Sequence, residues 1–218
     1  MLGAVLAGGR GSRLGGAKPT AVLAGRPLIS YPLAALAAAG IDAFVVAKPE
    51  TELRGRPLAR LPGLKTTAAG APGQRTTALA VGVEVITEPA TPTHPLAGIV
   101  AALRHAGRPL VVLGCDFPFA PPALLRALAE APEPLVVPAP AGDPQPLVAR
   151  WSPELLPRLE GALAREEPLR RTVAALSPRL LDGSELAQFA DPSRAFFNVN
   201  TPADLRVAER AVCSPHGE

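Results

Sequence analysis

Residues Val5 to Thr20, VLAGGRGSRLGGAKPT, place five glycines and three basic side chains directly behind a short apolar run. Glycine has no Cβ and tolerates left-handed backbone, so such a loop lets successive N–H groups surround a phosphate. Two familiar phosphate-binding patterns do not fit. A P-loop needs Gly-Lys followed by Ser or Thr, whereas Lys18 lies between Ala17 and Pro19; a dinucleotide fingerprint needs a third glycine where Leu14 stands. A second chemical feature is Asp116, two residues past the apolar run Leu110–Gly114. If that run is a central strand, Asp116 sits at the sheet edge where ligands of open α/β folds bind. There it is placed to hold Mg²⁺ against phosphate oxygens, since this hard cation takes one or two carboxylates; the alternative is a capping Asp. A third is the pair Asn198 and Asn200, two apart on one face of an extended segment. They can bond an acceptor substrate or a metal-bound water, or satisfy a local turn.

Apolar runs of strand length alternate with amphipathic stretches of helix length, the pattern of βα units around a mostly parallel sheet. Strands are expected at Leu2–Leu6, Ala43–Ala47, Val83–Thr87, Leu110–Gly114, Leu135–Val137, Pro146–Ala149 and Phe196–Val199. Helices are expected at Pro27–Ala39, Pro95–Ala106, Pro121–Ala131, Pro153–Arg165 and Leu169–Leu176, with Gly40 and Gly107 as stops. A last helix opens with Thr201 as N-cap, Pro202 at the first position and Asp204 in the first turn. The small and polar stretch 65–82 reads as an irregular insertion. The chain is expected to form one domain over 1–212, with 213–218 as a tail.

The motif L-A-G-G-x-x-x-R-L-G, with Lys18 five positions after Arg13, resembles nucleotidyltransferases of the molybdenum cofactor guanylyltransferase type, within the larger glycosyltransferase-A-like family. CDFPF (Cys115–Phe119) resembles the family's CD-x-P element, and FFNVNTPADL (Phe196–Leu205) its closing F-x-N-x-N-T-P-x-D-L. HPLAG from His94 is similar to the G-P-L-A-G helix start, with His94 in place of glycine; QPLVAR from Gln145 is similar to the Q-P-L strand. Ala17 stands where the family often has Asp. The resemblance implies a single-domain, three-layer α/β/α, Rossmann-like fold of the glycosyltransferase-A-like kind. It also implies nucleotide contacts from Leu6, Ala7, Gly8, Gly9, Arg10, Gly11, Ser12, Arg13 and Lys18, with Glu88 at an acidic ligand-contacting position. Arg13, Lys18 and Asp116 would be the catalytic set, Asp116 the Mg²⁺ ligand, and Asn198 and Asn200 the acceptor contacts.

The implied reaction moves GMP from GTP to the terminal phosphate of a molybdopterin-type acceptor, releasing pyrophosphate and forming the guanine dinucleotide cofactor. LAGG at Leu6–Gly9 resembles the guanine-using members. The alternatives are a cytidylyl- or sugar-phosphate nucleotidylyltransferase on the same scaffold, and a nucleotide-binding protein without turnover. Handing over a labile cofactor implies transient contact with other proteins of that pathway.

Composition narrows the rest. Net charge is +3, aromatics make up 4%, and the arginines are scattered, which favours small anionic ligands over nucleic acid. No apolar run approaches the roughly 20 residues of a membrane span, and Met1–Ala7 lacks the features of a signal peptide, so the cytoplasm is the expected location. Cys115 and Cys213 are too few for a disulfide framework or a paired-cysteine zinc site, and Cys115 is expected to pack rather than react. His94, His105 and His216 show no metal-ligand spacing.

Overall fold

The computed structural model describes residues 1–8, 14, 18–49, 51 and 83–213. Strand β1 (Leu2–Leu6) is followed by a hairpin, β2 (Val22–Leu23) and β3 (Arg26–Pro27), then α1 (Ser30–Ala38) and β4 (Asp42–Ala47). Next come β5 (Val85–Thr87), α2 (Pro95–Ala106), β6 (Leu110–Gly114), α3 (Pro122–Glu130), β7 (Leu135–Pro138) and β8 (Val148–Trp151). The chain continues through α4 (Leu156–Ala164), α5 (Leu169–Ala175), β9 (Arg179–Leu181), α6 (Gly183–Ala187), α7 (Pro192–Ala195) and α8 (Pro202–Cys213).

Seven strands form one sheet in the order β5-β4-β1-β6-β8-β7-β9. All neighbours are parallel except at β8, which runs antiparallel to both β6 and β7. The entirely buried β6 lies in the middle, as its unbroken apolar run requires. From β1 the chain first builds outward through β4 and β5 and then crosses to β6 on the other side. Leu6 lies level with both Val46 and Gly114, so the C-terminal ends of these strands open one crevice at the point where strand order reverses.

Alternation along the strands supplies two cores. Val5, Val45, Val111 and Leu113 pack beneath Leu33 and Leu36 of α1 and Leu124, Leu125 and Leu128 of α3. Ala4, Phe44, Val46 and Val112 turn to the opposite face, against Leu96, Ile99 and Leu103 of α2, Leu159 of α4 and Val173 of α5. The result is the expected α/β/α layering. A smaller third core joins Leu23 and Leu28 of the hairpin region to Val199 and Ala208, holding α8 against the body. Among the described residues no helix is long and apolar enough to cross a membrane.

Most element limits agree with expectation to within a residue or two; β1, α2 and β6 coincide with it, and Gly107 closes α2 in the left-handed conformation at φ 60°. Pro27 does not begin a helix. Ala24 and Gly25 both have positive φ, forming the two-residue turn that pairs Val22 with Pro27 and Leu23 with Arg26, so α1 starts only at Ser30. The strand expected at Pro146–Ala149 lies two residues later. Phe196–Val199 forms no ladder: Val199 N donates to Asp116 O at 2.9 Å, while Phe197 and Val199 pack into the third core. Residues 65–82 lie outside the described ones.

Candidate active site

Four strands deliver residues to the crevice. Gly8 follows β1, Lys48 follows β4, Glu88 follows β5 and Asp116 follows β6; Thr93, His94, Pro95 and Gly98 of the α2 start and Leu147 close the other walls. The cleft has a volume of about 280 Å³.

Lys18 is carried on a single helical turn, Lys18–Thr20, pinned by Ile29 N donating to Pro19 O at 3.0 Å and Leu28 N to Ala21 O at 2.8 Å. Its ammonium donates to Asp116 Oδ2 at 2.8 Å and Asn200 Oδ1 at 2.6 Å, joining residues 98 and 182 positions away. The Lys18 and Asp116 side chains are only 11% and 14% exposed. Little water is left to screen the pair. Asn200 owes its place to the start of α8. Asp204 Oδ2 accepts from Asn200 N at 2.9 Å and Thr201 N at 2.8 Å, while Asp204 N donates to Thr201 Oγ1 at 3.2 Å, a reciprocal cap.

The Asn200 N–H, followed by the contacts from Thr201, holds the Asp204 carboxyl below its ordinary pKa. A depressed folded-state pKa gives stability that is present above the unfolded value, about 3.9, and is lost as pH falls through the folded one. Asp204→Asn is therefore expected to lower stability at pH 7 by about 1 kcal/mol, the scale of a helix cap. Urea unfolding at pH 7 and pH 3 checks this: the gap to wild type should shrink at pH 3, and a gap unchanged by acid would contradict the assignment.

The second group surrounds Glu88. Its carboxylate lies against Gly8 and Gly98: a Cβ on Gly8 would overlap Oε1, and one on Gly98 would stand 3.0 Å from Oε2. The positive end of α2 favours an anion there. Lys48 Nζ is 3.6 Å from Glu88 Oε1 and donates to Pro89 O at 2.7 Å and Ala90 O at 3.2 Å. Gly8→Ala must push Glu88 aside, because the strand end is held by Ala7 N donating to Val46 O at 2.8 Å. Overpacking of this kind costs about 1–3 kcal/mol. Affinity for nucleoside triphosphates measured by calorimetry is expected to fall at least ~5-fold, and unaltered affinity would show that the carboxylate is not needed where it stands.

Leu6, Gly8, Lys18, Glu88 and Asp116 are thus brought together, with Ala7 buried beneath them and Asn200 attached through Lys18. Asn198 is half-buried, and its Oδ1 has no hydrogen-bond partner among the described residues. Gly9, Arg10, Gly11, Ser12 and Arg13 lie outside the described residues. Burial, then the Asp116 charge, pushes the Cys115 thiol well above its ordinary pKa, so it packs as an unreactive group. His94 is the N-cap of α2, its Nδ1 accepting from Leu96 N at 3.2 Å, and His105 packs edge-on to Phe44. His216 is not among the described residues. Lys48 and Asp204 were not singled out as site residues by sequence reasoning. A signal for Lys48 existed: it follows the apolar strand AFVVA as directly as the CD element follows LVVLG.

A crevice at the strand-order reversal, with an ammonium and a carboxylate facing each other at its floor, can hold and neutralise a polyphosphate. Fold and site define a nucleotide-handling α/β transferase. The chain belongs to the MobA-like NTP transferase domain family, which it matches over residues 3–180. A molybdenum cofactor guanylyltransferase of Acidiphilium cryptum is 31% identical over 215 residues, covering 96% of this chain and 94% of the relative. A probable molybdenum cofactor guanylyltransferase of Deinococcus radiodurans is 32% identical over 207 residues, covering 93% and 90%. The crystal structure of molybdopterin-guanine dinucleotide biosynthesis protein A from Archaeoglobus fulgidus is similar at a TM-score of 0.75 and 26% identity, covering 99% of this chain and all of that one.

Proposed function

We propose that this nucleotidyltransferase moves GMP from GTP to the terminal phosphate of a molybdopterin-type acceptor. The convergence of Lys18, Asp116 and Asn200 on one point of the crevice carries the reading, and the full-length likeness to guanylyltransferases supports the choice of base and acceptor. An acceptor phosphate oxygen attacks the α-phosphorus, forming a new P–O bond. The bond between the α-phosphorus and its bridging oxygen breaks, and pyrophosphate leaves with the electron pair. A phosphate monoester has its second pKa near 6, so the nucleophile is already anionic at neutral pH. No general base is needed, and the side chains have only to position and neutralise.

Among the described residues no three His, Cys, Asp or Glu side chains gather to hold a metal. A single carboxylate nevertheless suits Mg²⁺, which completes its shell with phosphate oxygens and water. The Asp116 carboxylate and the Asn200 amide oxygen already share one cation, the Lys18 ammonium, so the donor set fits a positive ion. Bound by Asp116, Mg²⁺ would neutralise charge on the α- and β-phosphates. Lys18, together with Arg13, holds the triphosphate and stabilises the departing pyrophosphate. Asn198 and Asn200 orient the acceptor, and Glu88 meets the nucleobase.

The test is thermal stabilisation by GTP, CTP, ATP and UTP, each with and without Mg²⁺. A ligand at 100 times its Kd adds about 2.7 kcal/mol, a rise of roughly 5–11 °C for a chain of this size. Selective stabilisation by GTP, enhanced by Mg²⁺, is expected. Preference for CTP would overturn the product, and no response to any nucleotide would overturn the site.

A further inference from the structure

Lys48 has no role in the transfer chemistry proposed above, yet it is more deeply buried than Lys18: its side chain is 4% exposed, and that of Glu88 is 5%. Ammonium has three protons to donate. Two go to consecutive carbonyls of the segment following Glu88, Pro89 O and Ala90 O. The 3.6 Å approach to Glu88 Oε1 is too long for a full hydrogen bond, so Lys48 acts on the carboxylate through Coulombic attraction rather than a third bond. One side chain thus does two things. It pins the backbone that carries Glu88, and it offsets the cost of keeping an ionised carboxylate inside the protein. The same carboxylate also fills the space that a Cβ on Gly8 or Gly98 would take.

We infer that Lys48 is a positioning residue for nucleobase selection, holding the Glu88 carboxylate fixed in the cleft so that it accepts from the N1–H and 2-amino group of guanine. This rests on the guanylyl reading above. An ionised carboxylate is an acceptor only. Guanine offers it two donors, hypoxanthine one, and adenine turns a bare N1 acceptor toward it. A site built to bond donors rejects a base that lacks them, because its own polar group is then left unpaired. Lys48 also lines the cleft, and a direct grip on the triphosphate would be a different role; it would weaken every nucleotide equally.

Binding of GTP, ITP and ATP in the presence of Mg²⁺ separates the two. Calorimetry would use the full chain as wild type, Lys48→Met, Glu88→Gln and the double variant. Wild type is expected to bind GTP more tightly than ITP, and ITP more tightly than ATP. Lys48→Met should lower the GTP-over-ATP ratio at least ~10-fold, the scale of one charge-assisted hydrogen bond. In the Glu88→Gln background the same change should leave the ratio where it is, because its effect runs through that carboxylate. Equal weakening of all three nucleotides by Lys48→Met, or a further change of the ratio in the double variant, overturns the inference. Should Lys48→Met alone fail to fold, Glu88→Gln against the double variant still decides, since the double variant buries no unpaired charge. A GTP preference that survives Lys48→Met intact overturns this role and leaves the guanylyl reading standing; a wild-type preference for another base overturns both.

Discussion

Asp116→Ala and Lys18→Ala are each expected to lower turnover at least ~100-fold, the loss seen when one preorganised transition-state donor is removed. On the proposed reading, attack on the α-phosphorus builds charge beside Lys18, Asp116 and Asn200, which come from distant parts of the chain. The two side chains also form a poorly hydrated pair at 2.8 Å. Removing either alone leaves the other charge without its partner, at a cost of about 1–3 kcal/mol in stability. Removing both leaves no such orphan. The double variant should therefore regain stability relative to the single ones while staying as inactive, which separates a chemical role from a structural one. Pyrophosphate release and urea midpoints on the same preparations check this, and a folded single variant with near-normal turnover would refute the assignment.

The largest effect on stability is expected at Trp151. It is fully buried in the second core, sits level with Leu110 on one side and Leu135 on the other, and its indole N–H donates to Pro146 O at 3.2 Å. Truncation to alanine removes the largest side chain of that core and strands a carbonyl, at a cost of about 3–5 kcal/mol. Against a typical total of about 5–15 kcal/mol, this leaves a folded but fragile protein. Trp151→Phe should keep most of the packing and lose only the hydrogen bond and part of the volume. Because the chain has a single tryptophan, unfolding of the variants is followed by circular dichroism. A loss below about 1 kcal/mol for Trp151→Ala would mean that the core closes over the gap.

How much of this was legible in the sequence depended on the range of the interactions. The runs LGAVL and LVVLG announce buried strands by continuous apolarity, and α2 is bounded by Pro95 and Gly107; these signals are local and the structure follows them. The start of α1 was misplaced because a proline followed by apolar residues suits a helix start as well as a hairpin strand. What decided it was the positive-φ turn at Ala24–Gly25, which announces itself weakly when its first residue is alanine. β9, with Arg179 and Leu180 exposed, has no apolar pattern to betray it. Within the site, Lys18 and Asp116 were legible as chemical types, but their direct contact was not. It depends on β6 ending beside β1 and on α8 docking through the third core. Lys48 escaped notice because a lone lysine after a strand is usually solvated, and its place directly behind AFVVA gains meaning only with its burial.

The placement of β1 has a further consequence for how the molecule is made. β1 is synthesised well before its β6 partner, so one of its flanks is completed only when residues 110–114 have followed. At about 5–20 residues per second that interval lasts roughly 5–20 s. For all of it one flank of β1, a strand interior to the finished sheet, is an unpaired edge open to aggregation, and Asn200 is later still. The cluster of Lys18, Asp116 and Asn200 can form only after every strand of the sheet has been made.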